Sequence, residues 1–323
     1  MMKTTETTLK RNPLFTRPAS ANSRPGLQLT DRDLQILHLC YRHRFLDSDQ
    51  IAALVGAQTK GRHQIRVRLQ KLWLERYLER PEDQRILRIR EGYRPLIYSL
   101  GHKGIAAIAE GLGLDIAKVR WTQKHDQIRA PYIKHALFIS EFFTTLAIAL
   151  KQHPGWQLTD WRQGRSIFEQ VTLDHKTVSL RPDAFFTLTE PPQQGPPQAH
   201  HFLLEADLGT IREKSMLDRY RRYWAYWKRI RDEERVGRGQ LPQGRQPRQP
   251  RALPIPKAFR VLTISANPTR ANNLTTLARQ ADDDKRGSTM FYFTHRQWAI
   301  DNSAPLLKPI WHTPADSQPR SLL

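Results

Sequence analysis

The chain has 323 residues, enough for two domains of ordinary size, and its 52 Lys and Arg against 31 Asp and Glu give a net charge of +21. This positive excess indicates a polyanionic partner such as nucleic acid, or an anionic surface. The single cysteine, Cys40, excludes intramolecular disulfides and a zinc site of several thiolates, and the lack of a long apolar run predicts a cytoplasmic protein with no membrane partner.

The first part of the chain has the signals of a small helical domain. Residues 1–28 are rich in Thr, Arg and Pro with few apolar side chains, which predicts a disordered basic arm. Thr30 is a favourable N-cap for a first helix, and a second short helix is predicted at residues 50–55. A third, strongly basic helix is predicted at residues 60–76. Three helices with short connections predict a helix-turn-helix.

The predicted third helix separates a buried stripe from a contact surface. At helical periodicity Ile65, Leu69 and Leu72 fall on one side, which is the predicted core side. The residues pointing away from it are Lys60, His63, Val67, Gln70 and Lys71, and those on its flanks are Arg62, Arg66 and Arg68. The flanking arginines are predicted to reach DNA phosphates, His63 and Gln70 to read base edges, and Val67 to contact a thymine methyl. The alternative is a solvated charged face.

A hairpin is predicted next, because two segments of alternating side chains, residues 84–90 and 95–100, flank a turn at residues 91–94. This is the wing of a winged helix. It carries four arginines that are predicted to contact DNA: Arg85, Arg88, Arg90 and Arg94. With one more helix at residues 101–113, the winged-helix domain is predicted to span residues 29–115, followed by a polar connector at residues 116–131.

A second domain is predicted at residues 132–312, and a tail at residues 313–323. The predicted elements are a helix at 132–152, strands near 156–161, 166–170, 181–188 and 201–207, a helix at 211–230, a strand at 259–265, a helix at 269–280 and a strand at 290–294. Helices and strands in this order predict an α+β or α/β chain.

Two features of this domain carry further predictions. The helix at residues 211–230 has an apolar stripe, which predicts that it packs on the sheet through Leu217, Tyr220, Trp224 and Trp227. Residues 236–257 are rich in Gly, Pro, Gln and Arg, which predicts a flexible basic insertion.

Three carboxylates lie in or beside two predicted strands: Asp183, Glu205 and Asp207. Because side chains alternate along a strand, Glu205 and Asp207 project from the same face, and neighbouring strands would bring Asp183 close to them. Clusters of carboxylate oxygens hold Mg²⁺ or Mn²⁺, which activates water for phosphodiester chemistry. The sequence therefore predicts a metal and catalytic site at these three residues.

The order Pro182-Asp183 followed by Glu205-Ala206-Asp207 resembles the PD-(D/E)xK nuclease superfamily, and the run from Glu205 to Thr210 resembles the replication-relaxation family. The resemblance implies a winged helix fused to a restriction-endonuclease-like mixed sheet that is flanked by helices and acts with Mg²⁺ or Mn²⁺. It also implies a carboxylate from the first core helix, for which Glu141 is the candidate. Active nucleases usually have Lys where this chain has Asp207, and Lys214 or Arg212 on the next helix could replace that Lys.

Two functions follow from these features. The first is a DNA-binding protein of a plasmid or mobile element, with a winged helix that selects a site on duplex DNA and a nuclease-like domain that cuts or nicks it. The alternative is a non-catalytic DNA-binding regulator of transcription or plasmid replication with a degenerate nuclease fold. A homodimer and protein partners from a mobile element both remain open.

Overall fold

A computed structural model of the chain describes the following residues: 14–15, 17–18, 26–56, 61–113, 129–164, 167–191, 196–237, 258–282, 287–301 and 305–322. They form mixed α and β structure in two compact units, Met1–Ser140 and Glu141–Leu323. The predicted connector is described only from residue 129 onward, and the predicted insertion only at residues 236–237, which end a long helix.

The first unit contains five complete helices and a small sheet among its described residues. Its elements are α1 (Asp31–His43), β1 (Leu46–Asp47), α2 (Ser48–Leu54), α3 (Arg62–Leu74), β2 (Leu78–Glu79), α4 (Gln84–Glu91), β3 (Ile97–Leu100), α5 (His102–Leu112) and the first half of α6 (Ala130–Leu150). The three strands pair antiparallel in the order β1-β3-β2. The division between the two units falls inside α6, and the domain boundary predicted near residue 132 lies in the same helix.

The starts of α1 and α2 confirm the helix signals read from the sequence. The Thr30 hydroxyl accepts from the Asp33 amide while the Asp33 carboxylate accepts from the Thr30 amide at 2.8 Å. Asp47 and Gln50 form the same reciprocal arrangement at α2. Each pair satisfies amides that have no partner inside the helix, so both helices begin at fixed residues.

The wing predicted at residues 84–100 is wrong in its first half, because Gln84–Glu91 form a helix, α4. Gln84 is fully buried, and its side chain donates to the Ile97 carbonyl at 3.1 Å and accepts from the Ile97 amide at 2.9 Å. These are the groups that a partner strand would have bonded. Leu87 lies in the same buried cluster as Ile97, whereas Ile86 and Ile89 are exposed.

The predicted disordered arm makes contacts at the residues that are described. The Arg17 guanidinium donates to the Trp73 carbonyl at 2.7 Å, to the Leu78 carbonyl at 3.0 Å and to the Glu79 carboxylate at 2.7 Å. It also lies over the Trp73 ring, 5.3 Å from the centroid. These contacts hold this part of the arm against the end of α3 and against β2.

The second unit is built on a mixed five-stranded sheet. Its strands are β4 (Gln157–Gln163), β7 (Ala184–Thr189), β8 (Ala199–Asp207), β9 (Arg260–Ser265) and β10 (Phe291–His295), in the order β10-β9-β8-β7-β4. The helices α7 (Glu213–Gly237) and α8 (Pro268–Arg279) lie in the connections between β8, β9 and β10. Those three strands pair parallel, and β7 and β4 pair antiparallel. A helix in each parallel connection is the usual solution, because the chain must return to the same end of the sheet.

The two faces of the sheet have different covers. Phe185 and Leu203 are buried with the tyrosines of α7, whereas Phe186 stacks with Trp161 and contacts Phe142 of α6. Successive residues of a strand point to opposite faces, so this division follows from the alternation. The face that carries Phe185 and Leu203 is the one beneath α7.

The stripe predicted for α7 is partly wrong. Tyr220 is fully buried as predicted, but Leu217, Trp224 and Trp227 are only partly buried. The residues that line the core instead are Met216, Tyr223, Tyr226 and Ile230. Tyr223 and Tyr220 carry hydroxyls that meet polar groups of the sheet, which favours tyrosine there, and the two tryptophans stack on each other at 4.8 Å on the flank.

A hairpin that the sequence analysis did not separate consists of β5 (Glu169–Leu173) and β6 (Lys176–Leu180). Its two-residue turn is Asp174-His175, and both residues have positive φ, 48° and 61°. Asp and His adopt this conformation more readily than most residues, so the turn forms without the glycine that usually marks it. The missing glycine explains why β6 was not predicted.

The segment after β10 packs against the sheet. Phe293 exchanges two backbone hydrogen bonds with His312, at 2.8 and 2.9 Å, and Trp311 exchanges two with Arg320, at 3.1 and 2.7 Å. Trp311 is fully buried and Leu322 is 2% exposed. The predicted tail at residues 313–323 is therefore part of the second unit as far as residue 322.

By length and composition alone, α6 could cross a membrane, but 56% of its most apolar window is buried inside the protein. Core helices pass the same test, so this helix does not indicate a membrane protein.

Candidate nucleic-acid interface and buried carboxylate cluster

Helix α3 turns one side to the core of the first unit and the other to solvent. The predicted buried stripe is confirmed, because Ile65, Leu69 and Leu72 are at most 2% exposed. Arg62, which was predicted on a flank, is exposed. The residues predicted on the opposite side are exposed too: His63, Val67, Gln70 and Lys71. Lys60, which was predicted with them, lies outside the described residues.

A shallow groove of about 210 Å³ lies on this outer side of α3. It is lined by His63, Gln64, Val67, Arg68 and Lys71. Imidazole and amide groups beside an exposed valine methyl are the types of group that read base edges and contact thymine. The groove therefore combines hydrogen-bonding groups with an exposed methyl group.

The flanking arginines differ in their freedom to reach a phosphate. Arg66 donates to Asp49 of α2 at 2.8 Å, and both side chains are well exposed. Arg68 instead donates to Asp33 at 2.8 Å and to the Gln28 carbonyl at 2.8 Å. Asp33 is 1% exposed, and Arg68 therefore ties the start of α1 to α3, which takes its guanidinium away from the predicted phosphate contact.

The Asp33 pKa is consistent with this structural role of Arg68. Burial acts to raise the pKa of Asp33, but the hydrogen bonds from Arg68 and Thr30 and the charge of Arg68 outweigh burial and lower it. Asp33 is thus held in its charged form beside the guanidinium.

Three of the four arginines predicted on the wing, Arg85, Arg88 and Arg90, lie on α4, and Arg94 follows the helix. Arg85 has its guanidinium 4.9 Å from the centroid of the Phe15 ring and 3.4 Å from Glu82. Arg90 is exposed in the last turn of the helix. Of Arg85 and Arg90, Arg90 is the better placed to meet a phosphate.

The other two arginines shape the turn after α4. Arg88 donates to the Arg94 carbonyl at 2.6 Å and lies over the Tyr93 ring at 5.4 Å. Arg94 forms an ion pair with Glu91, which also accepts from Lys134 at 2.8 Å. These contacts fix the path of the chain between α4 and β3.

The predicted carboxylates lie on the sheet face beneath α7. Glu205 and Asp207 lie at the C-terminal end of β8, where they pair with Thr263 and Ser265 of β9. The Asp183 carboxylate accepts from the Ala206 amide at 2.8 Å, and its charge acts on Glu205. The structure therefore brings Asp183 and Glu205 together at one end of the sheet, and Asp207 lies two residues after Glu205 on β8.

Glu205 is 1% exposed and both of its oxygens are bonded. The Tyr223 hydroxyl donates to one oxygen at 2.5 Å, and the Arg219 guanidinium donates to the other at 2.5 Å. Burial raises the pKa of Glu205 to about 7; the charge of Arg219 opposes this rise and the charge of Asp183 adds to it. In turn, the Glu205 charge raises the pKa of Arg219, and burial raises that of Tyr223.

Asp207 is 2% exposed and is bonded by a second arginine. Arg270, in the first turn of α8, donates to one oxygen at 2.8 Å and to the other at 3.5 Å. The same guanidinium donates to the Ile211 carbonyl at 2.7 Å, which fixes its position. Hydrogen bonding to Asp207 raises the pKa of Arg270, so its guanidinium stays charged.

The hydrogen bonds that these carboxylates accept do not fit the predicted Mg²⁺ or Mn²⁺ ion. A metal would need carboxylate oxygens that are now bonded to Arg219, Tyr223 and Arg270, and two guanidinium groups would stand beside the cation. Within the described part of the chain, no group of three or more His, Cys, Asp and Glu side chains is placed to hold a metal ion.

The remaining predicted catalytic residues lie apart from this cluster. Glu141 is on α6, and both of its oxygens accept from Arg296 at 2.7 Å. The next residue, Phe142, contacts Phe186 on the sheet face opposite α7. Lys214 is exposed in the first turn of α7. The basic residue of this helix that reaches Glu205 is Arg219, further along the helix.

The residues that the sequence analysis missed are therefore Arg219, Tyr223 and Arg270. All three are polar side chains on the helices that follow the acid-bearing strand β8. The signal was present for Arg219 and Tyr223, which are four positions apart on α7 and so share one helix face. Arg270 gave no signal, because it follows Asp207 by 63 residues.

Comparison with known proteins gives one match. Residues 37–240 match the sequence model of a family described as replication-relaxation. The matched range is more than half of the chain, and it includes α3, Asp183, Glu205 and Asp207 but not Arg270. No curated protein and no solved structure matches the chain.

Proposed function

The chain belongs to the replication-relaxation family, and from this premise we propose that it is a DNA-binding protein of a plasmid or mobile element that occupies duplex DNA without cutting it. Family membership points to a role in the replication or relaxation of such DNA. The net charge of +21 agrees with a polyanionic partner.

The order of elements in the first unit supports a winged helix. Three helices are followed by strands that join β1 in an antiparallel sheet of order β1-β3-β2. In such domains the third helix enters the major groove of DNA, and the segment between the last two strands is the wing. Here the wing position is occupied by α4 and the turn that follows it.

The observation that carries the proposal is the division of α3 into two sides. Ile65, Leu69 and Leu72 anchor the helix in the core. The opposite side presents a groove lined in part by His63, Val67 and Lys71, and Gln70 is exposed on the same helix. Hydrogen-bonding groups beside a methyl group are the combination that readout of base edges in the major groove uses. This surface therefore favours DNA recognition over the alternative of a solvated charged face.

The second unit supports a nuclease-like fold that does not cleave. Asp183 and Glu205 lie at the same end of a mixed sheet, as the resemblance to the nuclease superfamily implies. Arg219 and Arg270 take up the carboxylate oxygens that a catalytic metal would use. We propose that the hydrogen bonds from these two arginines hold α7 and α8 on the sheet, and that the unit serves the DNA-bound protein structurally.

DNA binding is tested with Lys71→Ala and Gln70→Ala, measured by fluorescence anisotropy on duplex DNA over a range of salt concentrations. Lys71→Ala should weaken binding to all sequences and reduce the slope of log affinity against log salt by roughly 0.9, because one phosphate contact is lost. Gln70→Ala should instead weaken preference between sequences. Lys103→Ala, an equal charge change on α5, is the control and should leave the slope unchanged. Equal effects of the two lysine variants would contradict the assignment of α3.

The absence of cleavage is tested on supercoiled plasmid with Mg²⁺ or Mn²⁺. The expected result is intact plasmid and a melting temperature that the ions do not raise, since the carboxylates are occupied. Nicking by the wild type that Glu205→Gln abolishes would replace this part of the proposal with a metal-dependent nuclease, and would leave the DNA-binding part in place.

A further inference from the structure

Two of the large apolar side chains in the first unit stand almost fully in solvent. Ile89, near the end of α4, is 83% exposed and Tyr93, just after it, is 81% exposed. Ile86, one turn before Ile89, is 37% exposed on the same helix. Single exposed apolar residues are common, but a group of this size at one tip is typical of a contact surface.

The tip does not owe this exposure to a loose chain. Gly92 ends α4 with a φ of +79°, a left-handed conformation that turns the chain and sends Tyr93 outward. Arg88 covers one side of the Tyr93 ring and bonds the Arg94 carbonyl. Glu91 is bonded by Arg94 and Lys134. The backbone of the tip and the Tyr93 ring are thus held in place before any partner arrives, which lowers the cost of binding.

The tip lies beside the proposed recognition helix. Arg66 on α3 donates to Asp49 of α2 at 2.8 Å, and the neighbouring Ser48 amide donates to the carbonyl of Leu96, three residues after Tyr93, at 2.9 Å. Arg90 at the tip and Arg62 on α3 are both exposed. The tip and α3 are thus joined through the start of α2, and the surface they share carries exposed arginines and an apolar centre formed by Ile89 and Tyr93.

The charge of this surface selects among occupants. A second copy of the chain would bring the same arginines face to face around the apolar centre, and like charges at a contact oppose association. Duplex DNA offers phosphates for Arg90 and Arg62 and apolar base faces for the tip. DNA is thus the occupant whose chemistry matches both parts of the surface.

We infer that Ile89 and Tyr93 form a wedge that enters the minor groove beside the site of α3 and partly unstacks one base step, so that the bound DNA is bent. The inference rests on the proposed DNA binding. Apolar wedges of this kind kink duplexes, and pyrimidine–purine steps yield most easily, so such steps should be preferred at the contact.

The test uses the full chain, end-labelled duplexes of about 20 base pairs, two helical turns, and 2-aminopurine placed within a pyrimidine–purine step. Wild type should raise 2-aminopurine fluorescence and bring the duplex ends closer by energy transfer. The Ile89→Ser/Tyr93→Ser double variant should lose both signals and bind roughly tenfold more weakly, with an unchanged salt slope. Tyr93→Ser alone should lose most of the fluorescence signal, which keeps the test open if the double variant fails to fold. Leu112→Ser, an exposed apolar change on α5, should behave as wild type.

The outcomes separate the two levels of proposal. If wild type binds with a steep salt dependence but leaves the duplex straight and stacked, the wedge is overturned and DNA binding stands. If wild type does not bind DNA at all, both fail. If the double variant keeps both DNA signals, the tip is not a DNA wedge. If light scattering gives the double variant half the mass of the wild type, the tip is instead a contact between copies of the chain.

Discussion

Glu205 should make the second unit less stable as pH rises, and Glu205→Gln should remove that dependence. Burial raises the pKa of Glu205 from an ordinary value of 4.5 to about 7. A carboxyl with a higher pKa in the folded state holds more protons when folded, so the free energy of unfolding falls between these two pH values. At about 1.4 kcal/mol per pKa unit, the fall amounts to about 3 kcal/mol by about pH 8.

Glutamine has nearly the shape of a protonated glutamate and cannot ionise. At about pH 5, where Glu205 is protonated in the folded state, the variant and the wild type should be similar in stability. At about pH 8 the variant should be more stable by about 3 kcal/mol. The measurement is unfolding in urea at both pH values, followed by hydrogen exchange and mass spectrometry of peptides from β8, which reports on the second unit alone.

Glu213→Gln provides the control, because Glu213 is exposed in the first turn of the same helix that carries Arg219. Its effect should stay within about 1 kcal/mol, the size of a helix-end charge effect. A variant of Glu205 that is less stable than wild type at about pH 8 would mean that the ion pair with Arg219 outweighs the cost of burial, and the reasoning would be refuted.

Two further changes test the first unit. Arg68→Ala should destabilise the first unit by about 1–3 kcal/mol, because buried Asp33 loses its partner. Arg62→Ala, the control, should leave the melting temperature unchanged. If the two variants melt at the same temperature, Arg68 is not structural. Gln84→Ala should also lower the free energy of unfolding by about 1–3 kcal/mol for each Ile97 backbone group that it leaves unbonded. The measurement is thermal unfolding, with Gln35→Ala, a change at an exposed glutamine, as the control. A loss no greater than that of the control would contradict the role given to Gln84.

The parts of the fold that could be predicted from the sequence are those fixed by neighbours along the chain. The buried stripe of α3 follows from helical periodicity, and the caps at Thr30 and Asp47 follow from residues three positions apart. Each of these depends on contacts within one or two turns. Local patterns were therefore sufficient there.

The errors arise where a distant residue changes what a local pattern means. The alternation at residues 84–90 suits a strand as well as a helix, and Gln84 decides for the helix by bonding the backbone of Ile97. The carboxylates on β8 were read as metal ligands because Arg270, 63 residues after Asp207, leaves no trace in their neighbourhood. The sequence therefore predicted the acidic cluster but not the arginine side chains that bond it.

The packing of residues 305–322 against β10 has a practical consequence for handling the protein. The antiparallel bonds between Phe293 and His312 occupy backbone groups at the outer edge of the sheet. An edge strand that loses such a cover pairs readily with strands of other molecules. A chain shortened to end at residue 301 should therefore aggregate at concentrations where the full chain stays in solution, and affinity tags are better placed away from this segment.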